Sequence, residues 1–451
     1  MQEGGAAKIM NHDETTRPAA VSGATPAKQA GQYPDEWFWA QHGAWTERMR
    51  TRLAHSGPTT KWFALWDKVI SPQNVQAAYW SVWRNGGAAG VDGQTVAQFN
   101  EHEEAELAKL CEELRGKTYR RQPARRVWIP KPGTAEKRPL GIPAVRDRTV
   151  EAALKAVLEP IFEQDFAEHS YGFRPGRGCA EAVGRIEELL NQGRAWCVDL
   201  DFKSYFDTIP HERLLGLVAQ RVVDGSVLAL LKQSLQAGVL EGLKDWQPTE
   251  CGTPQGAVIS PLLANLYLNP LDHAMARRDW QMVRYADDLV VLCHTPEEAE
   301  EALAYLRQWS QEAALTVHPT KTRIVHAGSE GFDFLGWHFR GGNKWPRKKS
   351  LQKLRDKLRP LTGRTQGLSW ADLVTRLNPI LRGWHGYFRD SHPGGLRGPD
   401  GWLRRRLRAM LRKREKRPGY GLSEADSRRW PNQWFAMQGL FSLEHGSCVY
   451  R

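Results

Sequence analysis

Cysteine is scarce here: six residues (Cys111, Cys179, Cys197, Cys251, Cys293 and Cys448) are scattered through 451, with no C-x-x-C pair. That spacing excludes a disulfide framework or a zinc ribbon as the scaffold and reads as reduced, mostly packed thiols of an intracellular chain. Long apolar runs are missing as well. None approaches the length needed to cross a bilayer, and the stretch from Met1 to Tyr33, rich in Ala, Gly, Thr and Pro, holds no apolar signal core. No membrane partner is expected, and a cytoplasmic location follows. The Gly-rich stretch from Arg84 to Gly93 lacks the G-x-x-x-x-G-K-[ST] pattern, so a nucleotide P-loop is not supported. Residues 1–33 offer almost nothing to bury and read as disordered.

Acidic residues are outnumbered, 51 against 63 Lys plus Arg, for a formal net charge of +12. The length suggests two or three domains, and the charge favours a polyanionic partner such as nucleic acid. Much of that charge is concentrated. From Leu403 to Arg417 there are nine Arg or Lys and one Glu, with Leu403, Leu407, Met410 and Leu411 at helical spacing. This is a helix with one face buried and the other cationic, offering Arg404, Arg405, Arg408, Arg412 and Lys413 to a phosphate backbone.

The acid that is present is placed tellingly. Tyr285-Ala286-Asp287-Asp288 lies between two apolar runs, Gln281 to Arg284 and Leu289 to Cys293, which predicts a hairpin with carboxylates at its tip. A second apolar strand, Trp196 to Asp201, also ends in acid, and period-2 alternation puts Asp199 and Asp201 on one face. Side-by-side carboxylates call for a cation. Two divalent ions about 4 Å apart, held by carboxylates from separate strands, activate an attacking hydroxyl and stabilise the leaving oxygen in phosphoryl transfer. A solvated Asp-Asp turn is the alternative.

Arg125 to Pro143 reads as a cationic hairpin, suited to neutralising a triphosphate or to protecting a sheet edge. Thr295-Pro296-Glu297-Glu298 is a helix start with Thr295 as N-cap and Glu298 closing a capping box. The helix runs to about Ala314, and a strand at Leu315 to Val317 follows. Strand, helix, acidic hairpin, helix and strand fit a split βαβ sheet with helices on one face, and Asp201 and Asp287 can then meet on adjacent central strands. From Trp37 to Trp83 the recurring tryptophans suit an aromatic helical core, and Val96 to Leu114 a further helical stretch. From about Asn343 the composition turns to Lys, Arg and Trp at helical periodicity, a separate helical region. Nothing in the pattern sets an oligomeric state.

In this order the motifs resemble the group II intron reverse transcriptase/maturase family, over nearly the whole chain from Ala77 to Leu443. The matching stretches are Gly87 to Gly93, Arg125 to Pro143, Ser170-Tyr171-Gly172-Phe173-Arg174-Pro175-Gly176, Val198 to Ile209, Gly252 to Leu263, Arg284 to Asp288, His318 to Thr322, Phe332 to Gly336 and Leu377 to Trp384. The resemblance implies an α+β right-hand polymerase with fingers and a ferredoxin-like palm, followed by an α-helical thumb/maturase domain. Its divisions would be a helical N-terminal extension and start of the fingers at 34–110, fingers and palm at 111–340, thumb/maturase at 341–420 and a tail at 421–451.

It also implies roles. Asp201, Asp287 and Asp288 match the catalytic, metal-binding carboxylates, with Asp201 and Asp287 the foremost direct ligands of two Mg²⁺ ions. Asp199 matches no catalytic position. Phe206 matches the ring that excludes a 2′-hydroxyl, which selects dNTP substrates. Lys131 and Arg138 match the triphosphate-binding pair, though this turn is a residue longer than the commonest pattern, and Gln255 matches a nucleotide contact beside the template. Lys321 either protonates the leaving pyrophosphate or is a surface lysine after a proline turn. The implied partners are intron RNA, an RNA template and a target DNA or primer. No Cys/His endonuclease module follows the basic helix, which resembles lineages that prime on existing DNA ends or replication forks. Two other readings stay open: an RNA-binding splicing factor with a vestigial polymerase site, and a retron, diversity-generating or defence reverse transcriptase.

Overall fold

The computed structural model describes residues 44–130, 137–241, 245–247, 249–421 and 423–448. The segment 1–33 and Trp37 and Trp39 lie outside that set. The remaining N-terminal tryptophans divide as an aromatic core requires. Trp45 is fully buried, gives its indole N–H to the Ala156 carbonyl at 3.0 Å and meets Trp62 edge-on at 5.4 Å, whereas Trp83 is exposed. Helix Pro72–Asn85 starts where Ser71 accepts a bond from Asn74 N and proline takes the first turn. It packs along helix Val145–Glu163, most of whose side chains are buried. The stretch from Val96 is two helices, Val96–Glu101 and Glu103–Arg115, because His102 leaves helical geometry between them.

The cationic hairpin forms as β1 (Ala124–Pro130) and β2 (Lys137–Ile142), paired antiparallel from Arg125↔Ile142 to Pro130↔Lys137. The central sheet contains β3 (Trp196–Asp201), with β4 (Val239–Glu241) and β5 (Asp245–Gln247) instead extending the hairpin sheet. Its other members are β6 (Gln281–Tyr285), β7 (Asp288–Cys293) and β8 (Arg323–His326), in the order β6-β7-β3-β8, antiparallel throughout. The acidic strand and the acidic hairpin are thus central neighbours, as expected. The expected strand at Leu315 to Val317 is reduced to one bridge, Val317 to Phe202, and β8 begins later. Pro319 has no N–H to continue that pairing.

Alternation along β3 and β7 buries both faces of the sheet. Cys197, Val290 and Leu292 join a core with Ala182, Val183 and Ile186 of helix Cys179–Asn191, while Val198, Leu200, Leu289 and Val291 on the other face are equally enclosed. The sheet is therefore covered on two sides, where the sequence pattern suggested helices on one. Helix Pro296–Glu312 begins at Thr295 as expected, but Glu298 accepts from His294 N rather than from the cap residue.

A third sheet, β9 (Phe332–Phe334), β10 (Trp337–Arg340) and β11 (Asn343–Pro346), carries strand structure past the composition change at Asn343. Helices follow at Lys348–Leu358, Trp370–Phe388 and Pro393–Arg414. Their core takes in the C-terminal residues as well: Trp430, Phe435, Leu440, Phe441 and Leu443 pack with Leu373, Leu377, Leu403 and Leu407. Among the described residues no helix is long and apolar enough to cross a membrane.

Phe435 is fully enclosed in that core and Met437, two residues on, is 77 % exposed. Phe435→Ala is expected to cost about 3–5 kcal/mol in folding stability. Thermal unfolding checks this, with Met437→Ala as the control: equal melting temperatures for the two variants would refute the packing.

Candidate active site

Two strand ends create the site. Asp201 closes β3 and Asp288 opens β7, and the ladder sets them directly opposite each other. Ala286 and Asp287 form the two-residue turn between β6 and β7. Asp201 and Asp287 line one cavity of about 500 Å³ together with Arg138, Phe173, Phe206, Gln255 and Lys321. Asp288 stands at the exposed edge and is not part of that lining.

The turn is held from beneath. Ala286 takes φ +57, the left-handed conformation that the first residue of a tight hairpin turn adopts and that usually falls to glycine. Its carbonyl accepts Nη1–H of Arg284 at 2.8 Å, and the same nitrogen reaches Asn265 Oδ1 at 2.9 Å. Arg284 is fully buried and its Nε donates to Asp272 Oδ1 at 2.7 Å, so a charged pair between β6 and helix Ser260–Ala276 sits under the acids. From the side, Gly172 presses on the turn. A Cβ there would stand 2.4 Å from Ala286 N, and Asn265 Nδ2 donates to the Gly172 carbonyl at 2.6 Å. Arg284, Asn265, Asp272 and Gly172 had no assigned role in the sequence. The signal was there in Asn265 and Asp272, polar residues buried on a mostly apolar helix.

Electrostatically the acids are under tension. Burial raises the Asp287 carboxyl, the Asp201 charge adds to it, and Arg138 and Arg284 oppose. The protein around Asp288, then Asp199, Asp287 and Asp201, push its carboxyl up to about 7, against Arg347. Asp199, for which no catalytic role is expected, is raised chiefly by burial and is ion-paired to Arg323 at 3.3 Å. Lys321 places its ammonium on Asp201 while its side chain stays exposed, a surface lysine at the rim of the cavity. Among the described residues no three His, Cys, Asp or Glu side chains stand as a preformed metal cage. The donor set still fits a hard cation of the magnesium kind, which takes one or two carboxylates and completes its shell with water and substrate phosphates.

The residues expected to contact the nucleotide come from three separate elements. Arg138 lies on β2, and Phe206 sits in the short helix Tyr205–Thr208 that follows β3. Gln255 occupies a loop stitched to both, through Gly141 N to the Gln255 carbonyl at 2.8 Å and Thr253 N to the Phe206 carbonyl at 2.7 Å. Lys131 lies outside the described residues. On the basic helix the expectation needs correcting. Arg404 is buried and ion-paired to Asp400, so it cannot face a phosphate backbone. Arg408 serves the Trp430 carbonyl at 2.9 Å and Asn432 at 2.7 Å, and Arg412 pairs with Asp426 at 2.5 Å. Arg405 and Lys413 are exposed.

Residues 129–339 match the family model described as reverse transcriptase (RNA-dependent DNA polymerase), and residues 351–430 that of the group II intron, maturase-specific domain. Protein YkfC of Escherichia coli is 36% identical over 288 residues, covering 55% of this chain and 74% of its own. The group II intron-encoded protein LtrA of Lactococcus lactis is 35% identical over 240 residues, which is 52% of this chain but 38% of LtrA. A chain of a Cas6-RT-Cas1–Cas2 complex aligns at 23% identity with a TM-score of 0.34, over 55% of this chain and 41% of its own. The acidic palm and the reverse transcriptase match define an RNA-directed DNA polymerase. With the maturase-specific region behind it, the chain belongs to the group II intron reverse transcriptase/maturase family.

Two substitutions probe the support under the acids. Gly172→Ala forces a Cβ into the turn backbone, and a displacement of about 1 Å at the carboxylates is expected to lower primer extension by about 10²-fold while the protein stays folded. Unaltered extension would refute the close approach. Arg284→Met strands Asp272 in the interior and is expected to cost about 3–5 kcal/mol in a denaturant melt.

Proposed function

We propose that the protein copies an RNA template into DNA from a primer 3′-hydroxyl, with two Mg²⁺ ions at Asp201 and Asp287, and that its helical C-terminal region binds the RNA of its own intron to assist splicing and retrohoming. The observation that carries the polymerase reading is the shared cavity: both carboxylates line it with Arg138, Phe206 and Gln255. Bound there, the metal ions would supply activation of the attacking hydroxyl and neutralisation of the leaving pyrophosphate.

The chain's own residues supply position and selection. Asp201 and Asp287 hold the cations at the ends of rigid neighbouring strands. Arg138 places a fixed positive charge near Asp287, where the triphosphate of a dNTP must lie. Phe206 lies beside the sugar and refuses a 2′-hydroxyl by volume. Gln255, held through its carbonyl to the fingers hairpin, contacts the nucleotide next to the template. Lys321, already on Asp201, has the donor to protonate pyrophosphate as it departs. Asp288 contributes negative charge from the edge of the pair. Arg405 and Lys413, exposed on the basic helix, serve the RNA backbone.

Extension of a DNA primer on an RNA template with Mg²⁺ tests this directly. Asp287→Asn is expected to reduce the rate at least about 10²-fold, and synthesis at the unaltered rate would remove the assigned mechanism. Phe206→Ala is expected to raise incorporation of ribonucleotides relative to deoxynucleotides about 10- to 100-fold, measured as the ratio of kcat/KM for the two sugars. An unchanged ratio would count against the gate.

A further inference from the structure

Phe173 is 50 % exposed and holds φ +57, a conformation that a side chain with a bulky ring rarely adopts. Its neighbours leave it little choice. On one side Tyr171 N donates to the Arg284 carbonyl at 2.9 Å, and Gly172 is wedged between Asn265 and the acidic turn. On the other, Arg174 is buried and donates to Glu163 from Nε at 2.9 Å and to the Ala167 and Ser170 carbonyls from Nη1 at 2.6 and 2.7 Å. Both flanks are clamped, and the one residue between them is displayed.

The ring gains little from the fold. Phe173 is absent from the buried core, and its ring neighbour is Tyr285, tilted with centroids 6.2 Å apart. It stands instead in the lining of the cavity that contains Asp201 and Asp287. An exposed aromatic in a strained conformation, kept there by neighbours that over-determine it, is the pattern of a ligand clamp rather than of a packing residue.

We propose that Phe173 is a substrate-contact residue whose ring packs on the sugar and base of the primer's 3′-terminal nucleotide. This rests on the polymerase reading above. The incoming nucleotide is served by Arg138, Phe206 and Gln255, from β2, the helix after β3 and the loop tied to both. Phe173 comes from another element, the segment that presses on the Asp287 turn, beside which the attacking hydroxyl has to be placed. The remaining occupant of the cavity is the strand end that carries that hydroxyl. An aromatic face suits it, because every base and sugar offers an apolar surface and the contact must be indifferent to sequence.

The wild-type protein is first assayed for extension on an RNA template; a failure there overturns the polymerase reading itself. Phe173→Ala, Phe173→Gly and Phe173→Tyr are then compared by fluorescence anisotropy on a primer–template duplex with a recessed 3′ end, by KM for primer–template and for dNTP, and by thermal unfolding. Removing the ring is expected to weaken duplex binding and raise the primer–template KM about tenfold, with the dNTP KM unmoved. Phe173→Tyr restores most of the binding. Phe173→Gly, which relieves the left-handed backbone, melts no lower than wild type. The inference is overturned if the dNTP KM rises in place of the primer–template KM, if neither changes, or if Phe173→Gly melts well below wild type as a packed core residue would.

Discussion

The acidic turn depends on one buried cation of the protein's own, the guanidinium of Arg284. It is fully enclosed and reaches Asp272, Asn265 and the carbonyl of Ala286 at once. A buried ion pair is weak support for stability, because the cost of removing two charges from water offsets much of their attraction. Its worth here lies in direction. The fork of donors ties β6 to helix Ser260–Ala276 and pulls the Ala286 carbonyl inward, which holds the residue in a conformation that alanine does not favour. Asp287 is the next residue, so its carboxylate inherits that orientation. The same asparagine that receives Arg284 also donates to Gly172, so the segment carrying Phe173 is registered against the turn by the same network.

Upon that base the strand register does the rest. Pairing Asp201 with Asp288 places like charges across a ladder, an arrangement that disfavours the fully ionised state. Burial first, and that like-charge conflict after it, raise the carboxyls of Asp287 and Asp288, and the Lys321 ammonium on Asp201 offsets part of the conflict. A site arranged in this way is poised for divalent cations, which relieve the repulsion, and the rigid sheet beneath prevents the carboxylates from separating instead.

Local pattern made the acidic hairpin, the alternation of β3, the cationic hairpin and the Thr295 helix start legible, since each is set by residues within a few positions. What escaped the sequence depends on partners far along the chain. Arg284 reads as one more basic residue in a strand until Asp272 and Asn265 are seen beneath it. Leu315 to Val317 has strand-forming residues, yet the sheet continues at β8, beyond a proline that cannot pair. Glu298 was close enough to close its capping box and is drawn to His294 N, while its other oxygen lies 3.4 Å from Arg194. Tertiary competition, not propensity, settled each of these.

The basic helix carries the same lesson into function. Nine cations between Leu403 and Arg417 suggest a surface made for phosphate. The structure spends several of them inward: Arg404 on Asp400, Arg406 on Thr362, Arg408 on the Trp430 carbonyl and Arg412 on Asp426. These contacts draw helix Pro393–Arg414 together with the C-terminal residues that complete its hydrophobic core. Charge density along a helix therefore overstates the number of phosphates it can neutralise, since a guanidinium that caps a buried carbonyl or pairs with a buried carboxylate releases no counterion from a polyanion. Those internal arginines tie down the helix on which Arg405 and Lys413 stand exposed.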